Sequence, residues 1–219
     1  GVSGMNVYNK EIKAPNGNQI SLRYDTSTVY QKIDEEINKT TLYAKRNGAV
    51  VYVGESISVQ NAIEVDGTVG FNTGNIDFNG FVDIKGSVED NFSVIADENI
   101  QIKGDMGIGA TGIIESREGD VYIRGGIAGR HKAVIKAKGN VYTKFASDCT
   151  IIAGGTVNIG FYAMNCHIQA KELIFESNDS RLIGGESQID IQVKVGELGS
   201  KSASKTYVSV YWSRSDCKL

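Results

Sequence analysis

The sequence predicts an all-β protein: a right-handed parallel β-helix (a solenoid) with a mixed N-terminal cap and a short C-terminal β cap. Three observations predict it. A strand-and-turn unit recurs from Ile76 to Ile191, visible as FVDIKGSV, FSVIADENIQIKG, IIESREGDVYIRG, AVIKAKGNVYT and TIIAGGTVNIG. Within it a small residue stands at Ala96, Ser116, Ala137, Ala153, Ala170 and Gly185, each two residues after an aliphatic one, at steps of 20, 21, 16, 17 and 15 residues. Glycine is frequent, at 26 residues, and proline occurs once, at Pro15. A repeat of this length, built from alternating apolar residues and turn formers, is the signature of stacked coils. Glycines supply the turns, and the near absence of proline keeps every ladder donor in place.

Residues 1–60, the N-terminal cap region, do not follow the repeat. QISLRY and GAVVYVGESISV read as strands by alternation and β-branching. Between them Val29, Ile33 and Ile37 fall at i, i+4 and i+8, with Asp25 or Thr26 as N-cap, which admits a short amphipathic helix. Residues 61–195 carry the β-helix repeats. Four or five residues past each small marker stands Ile100, Val121, Val141, Val157, Ile174 or Ile189, the core of a second strand. Val82/Ile84, Ile100/Ile102, Val121/Ile123 and Val157/Ile159 alternate with polar residues, as one buried sheet face requires. Asn99, Asp120 and Asn140 precede those strands, where their side chains suit turn corners. The variable step favours the right-handed helix over a left-handed hexapeptide helix, whose rhythm at Gly74, Gly80 and Gly86 is not sustained. Residues 196–219 break the repeat: a Ser/Lys stretch leads to an alternating strand with Tyr207, Val208, Val210 and Trp212, read as the second cap.

The net charge of −3 gives no reason to expect nucleic acid or an anionic membrane as partner. No apolar run approaches the ~18 residues of a membrane span. The opening GVSGMNVYNKE lacks an apolar signal core, so a cytoplasmic location is expected. Three cysteines without framework spacing fit a reducing compartment. Cys149 and Cys166 each lie four residues before a small marker and should stack as thiols on adjacent coils.

Chemistry-bearing motifs are weak. GIGATG, Gly107–Gly112, matches a dinucleotide fingerprint, but IIESREGDVYI after it has strand character where that motif needs a helix. The basic run Arg124, Arg130, His131, Lys132, Lys136, Lys138, Lys144 is partly absorbed by cross-coil pairs: Glu115 with Lys136, and Arg117 between Asp97 and Lys138. Arg130, His131 and Lys132 remain over, in the loop AGRHK, as a candidate partner surface. Tyr207, Tyr211 and Trp212 are a candidate docking patch if they do not fold back on the last coil. The acidic residues Asp83, Asp97, Glu115, Glu118, Asp120, Glu172 and Glu176 form no tight pair on aligned coils, as a polysaccharide lyase or glycosidase would need. His131 and His167 read as ordinary loop or strand residues, and His167 beside Cys166 makes only half a metal site. The expectation is a non-enzymatic scaffold or adaptor without catalytic, cofactor-binding or metal-binding residues. A carbohydrate-active enzyme on the same fold is the alternative. Protein partners are expected, a homo-oligomer among them, but no nucleic acid and no membrane span.

TGNIDFNGFVDIKGSV (Thr73–Val88), GGIAGRHKAVIKAKGNVYTKF (Gly125–Phe145) and IGGESQIDIQVKVGELGS (Ile183–Ser200), occurring in order, resemble the flagellar assembly protein A family of bacterial cytoplasmic proteins. The opening GVSGMNVYNKEI is similar to the Gly-rich entry to that family's repeat domain. The resemblance implies a right-handed β-helix without established catalytic residues, and scaffolding or regulation linked to flagellar assembly. Members usually also carry a further N-terminal region and continue into coiled-coil-like sequence, so these residues read as a fragment or a shortened member.

Overall fold

Period-two burial runs through most of this chain, and a computed structural model shows where each alternating face goes. It describes residues 2–14, 23–34, 39–46, 48–53, 55–201 and 205–211. Among these, strands, turns and irregular segments occur, and no helix. The chain divides into two units, Gly1–Val59 and Gln60–Leu219.

In the first unit, Val29–Asp34 pairs antiparallel with Lys39–Ala44, with the rings of Tyr30 and Tyr43 stacked at 5.4 Å. This corrects the expected helix: Val29 and Ile33 lie on a strand, and Ile37 lies outside the described residues. Two local causes are visible. Tyr30 faces Tyr43 and Ile33 faces Thr40, so β-branched and aromatic residues meet across the pair. Asp25, expected as a helix cap, instead closes a turn by accepting hydrogen bonds from the Ser27 N–H (2.9 Å), the Ser27 hydroxyl (2.6 Å) and the Thr28 hydroxyl (2.8 Å). These bonds hold its carboxyl below the usual carboxylate range. The described part of the N-terminal region is therefore all-β rather than mixed.

The second unit is a parallel β-solenoid of about eight turns. Each turn contributes a rung to three ladders. Ile76, Val94, Ile114, Ile135, Ile151 and Ile168 line the first. Val82, Ile100, Val121, Val141, Val157 and Leu173 line the second. Val69, Val88, Ile108, Ile127, Ala146, Ala163 and Leu182 line the third. Their side chains merge into one continuous core, with successive rungs ~4.8 Å apart. No described helix is long and apolar enough to cross a membrane.

One corner is built from the Asn/Asp series. The Asp120 N–H donates to Asn99 Oδ1 (2.8 Å), the Asn140 N–H to Asp120 Oδ1 (2.7 Å) and the Thr156 N–H to Asn140 Oδ1 (2.8 Å). Gly119, Gly139 and Gly155 precede the donors and lie so close over the same oxygens that a Cβ would collide with them.

Two markers are corrected in the last coils. Ala170 pairs with Ile189, while Gly185 pairs with Cys166, so Gly185 is not the next small marker. Leu173 and Phe175, not Ile174, face the core. The physical reason is a change of corner. Tyr162–Phe175 and Arg181–Lys194 are unbroken strands of 14 residues each, with a register shift between Ala170 and Glu172, where earlier coils turn on glycine. The C-terminal segment, expected to fold back, adds rungs instead: Glu197–Leu198 and Thr206–Val210 both pair in parallel with Arg181–Lys194.

Candidate functional site

Aligned rungs also fix what the solenoid shows outside. On the second ladder the outward position between two buried residues is Gln101, Tyr122, Tyr142 and Asn158 on successive coils. Tyr122 and Tyr142 stack with centroids 4.6 Å apart and planes 3° from parallel. The Tyr122 hydroxyl donates to Asp120 Oδ2 at 2.9 Å. Partial burial, together with that carboxylate, pushes the Tyr122 phenol up to about 12.

One position past the inward Ile102, Ile123 and Thr143 stand Lys103, Arg124 and Lys144, so three cations fall in a column along the edge of the same face. The residues Asn99–Gly104, Asp120–Gly125 and Asn140–Phe145 share one pattern, a corner residue, an inward aliphatic, a planar outward residue, a second inward residue and a cation. Lys103 Nζ is 2.6 Å from Asp83 Oδ2, and Arg124 Nε is 3.1 Å from Asp105 Oδ1. Lys144 has no carboxylate within ion-pair distance among the described residues; its ammonium lies 5.8 Å from the Phe161 ring centroid. Tyrosines, cations, Phe161 and Glu176 line a groove of about 610 Å³. The groove offers ring edges, cationic donors and the Glu176 carboxylate, with Asp83, Asp105 and Asp120 bonded to Lys103, Arg124 and Tyr122 of its lining.

Arg124 and Lys144 of the basic run line this groove, while the candidate partner residues read from the sequence lie elsewhere. Arg130 and His131 occupy a corner with φ of 47° and 61°. Arg130 Nη1 reaches Asp90 Oδ2 at 3.1 Å, and His131 Nε2 lies 3.5 Å from Asp148 Oδ1, while Lys132 is exposed. The loop therefore faces acidic residues of its own corner. Tyr207 and Tyr211 are exposed on the last described strand and just beyond it, four rungs from the AGRHK coil, so the two candidate surfaces do not meet. Trp212 lies outside the described residues. Cys149 and Cys166 are buried on adjacent rungs, their sulfurs 3.6 Å apart. Glu115 and Lys136 are register partners. Arg117 bridges Asp97 (2.7 Å) and Asp77 (3.1 Å), whereas Lys138 turns to Glu118 (2.6 Å) rather than toward Arg117. After GIGATG the chain continues as the strand Ile113–Ser116. His167 Nδ1 lies 3.7 Å from Glu186.

The groove was missed from the sequence because cross-coil pairing was applied to the charges beside the first ladder and not to Lys103, Arg124 and Lys144 beside the second. The signal was present: aligning NIQIK, DVYIR and NVYTK places both tyrosines and all three cations in register.

Comparison with known proteins adds the family. A family model described as the Flagellar Assembly Protein A beta solenoid domain matches residues 61–218, most of the chain. No curated protein and no solved structure matches.

Proposed function

This chain belongs to the Flagellar Assembly Protein A family, whose name ties it to flagellar assembly, and from that premise we propose that it is a non-enzymatic protein scaffold. It works in the cytoplasm and holds an acidic, extended segment of a flagellar-assembly partner in the tyrosine groove. The observation that carries this reading is the column Lys103, Arg124, Lys144 beside the stacked Tyr122 and Tyr142. Rigid rungs hold the three charges at a fixed pitch, so the groove is preorganised and little ordering cost falls on the protein side. The ion pair of Arg124 with Asp105 is exposed on both sides and exchanges readily for a partner carboxylate, whereas Lys103 stays with the largely buried Asp83 and contributes its field. Lys144 needs no exchange at all.

The alternative, carbohydrate cleavage, calls for two carboxylates at one cleft, one of them with a raised pKa. The groove lining contributes Glu176 alone. The carboxylates displaced from their usual range among the described residues, Asp25 and Asp66, are both displaced downward, by Ser27 and by Lys85.

The test is a photo-crosslinking amino acid placed at Tyr142 and, separately, at Ile95 on the first ladder, in a flagellated cell. A flagellar-assembly protein captured from position 142 and not from 95 supports the reading. Equal capture from both, or none, overturns it, and reducing ends released from acidic polysaccharides by the purified chain would install the enzyme reading instead.

A further inference from the structure

The corner that carries Cys149 and Cys166 does more than bury two small side chains. The column through it runs Ala133, Cys149, Cys166, Gly185: Val134 pairs with Thr150, which puts Ala133 beside Cys149, and Gly185 is the register partner of Cys166. With alanine on one side and glycine on the other, no polar side chain of the column competes for the two sulfurs. The sulfurs are 3.6 Å apart, and the His167 N–H to Cys149 carbonyl bond (2.9 Å) fixes the register of the two rungs. Adjacent rungs stand ~4.8 Å apart at Cα, inside the span of roughly 4.4–6.8 Å that a disulfide accepts.

We propose that Cys149 and Cys166 form a reversible disulfide that staples two neighbouring coils of the solenoid when a small peroxide is present. Cys166, as thiolate, attacks the O–O bond of hydrogen peroxide, giving a sulfenic acid and hydroxide, which is protonated to water. The Cys149 thiol then attacks the sulfenic sulfur. The S–S bond forms, the S–O bond breaks, and the hydroxyl leaves as water with the Cys149 proton. Two thiols lose two electrons, and one peroxide is reduced to two waters. The order follows the hydrogen bonds: the Cys166 S–H has the Met164 carbonyl as acceptor at 3.3 Å, which leaves Cys149 as the donor between the sulfurs, and that bond favours the Cys166 thiolate and pushes the Cys149 thiol up. Relative exposures of 5% for Cys149 and 1% for Cys166 select the oxidant by size. Hydrogen peroxide reaches the pair during local opening, whereas glutathione disulfide is too bulky to place a sulfur in line.

The closed form joins positions 17 residues apart, so coils on either side of the staple unfold together rather than singly. Oxidation thereby sets how far the later coils, with Tyr207 and Tyr211, can open toward a partner.

The test uses the full chain with Cys217→Ser, which removes the third thiol. Folded protein is treated with hydrogen peroxide or with glutathione disulfide, then alkylated, digested and weighed. The expected result is one peptide pair linked through Cys149 and Cys166, lighter by two hydrogens, formed with peroxide only, undone by dithiothreitol and accompanied by a higher melting temperature. Added oxygen atoms without a link overturn the proposal, as does full alkylation after peroxide treatment. Equal reaction with glutathione disulfide overturns the selection by size. A Cys149→Ser variant tests the order of steps: Cys166 should then stop at the sulfenic acid, trapped by dimedone, and absence of the adduct overturns the assigned roles.

Discussion

The carboxylate of Asp120 accepts the backbone N–H of Asn140 at 2.7 Å, one coil further on. The same geometry links Asn99 to Asp120 and Asn140 to Thr156, so one side chain per turn completes a corner that the backbone ladder leaves open. Asp120→Ala leaves the part-buried Asn140 N–H without that acceptor and should lower stability by about 1–2 kcal/mol. Asp120→Asn keeps a carbonyl oxygen in place and should cost clearly less. Urea unfolding of the two variants decides it, and equal losses would show that the ladder oxygen does not matter.

Gly139 lies directly over Asp120 Oδ1 and close to the Gly119 carbonyl. Gly139→Ala forces both apart and should destabilise by roughly 1–3 kcal/mol. Gly74, with a φ of 69° but open space around it, should lose less on replacement by Asn, which tolerates that conformation. Thermal melts of the pair separate collision from backbone conformation.

Ile135 is fully buried on the first ladder, between Ile114 and Ile151. Ile135→Ala opens a cavity that fixed rungs cannot close by shifting, and should cost about 2–5 kcal/mol. Ile135→Val should cost about 0.5–1.5 kcal/mol. Denaturant midpoints at unchanged slope are the readout.

The phenol of Tyr122 titrates at about 12, above its ordinary value of 10. Burial favours its neutral form, so the folded state resists losing the proton that the unfolded chain gives up first. Its contribution to stability is complete below pH 10 and is lost as pH rises toward 12. Tyr122→Phe should flatten that part of the stability curve, and ultraviolet titration of Tyr142→Leu should show the remaining late phenol. An alkaline limb unchanged in Tyr122→Phe would assign the loss to other groups.

Reversing Arg124 and Lys144 to Glu should weaken binding of an acidic peptide several-fold and reduce its salt dependence. Reversing Lys132 should change neither. Fluorescence anisotropy at two salt concentrations measures both, and equal effects at all three positions would indicate bulk charge rather than the groove.

Much of the fold was legible because a solenoid writes its contacts at short range. Val94, Ile114, Ile135 and Ile151 recur at nearly the spacing of one turn, and the structure pairs them rung by rung. Legibility ended where the corner chemistry changed. Gly185 looks like a marker, yet the strands Tyr162–Phe175 and Arg181–Lys194 run through their corners and carry Ile189 into the marker position. The helix placed on Val29 and Ile33 failed because three apolar residues at helical spacing say nothing about a partner strand, and Lys39–Ala44 supplied one. The tyrosine groove escaped because the turn spacing was followed for the buried residues and for the charges around Glu115 and Lys136, but not for the outward Tyr122 and Tyr142 or the cations beside them.

The Asn/Asp corner also makes length a countable quantity. Each oxygen serves the turn after it, and each turn presents the same acceptor onward, so corners 20 residues apart, such as Asp120 and Asn140, are interchangeable joints. Duplicating the segment from Gly119 to Lys138 should insert one whole turn with every rung matched. It would move whatever is fixed beyond it by a single coil height, ~4.8 Å, and leave no seam.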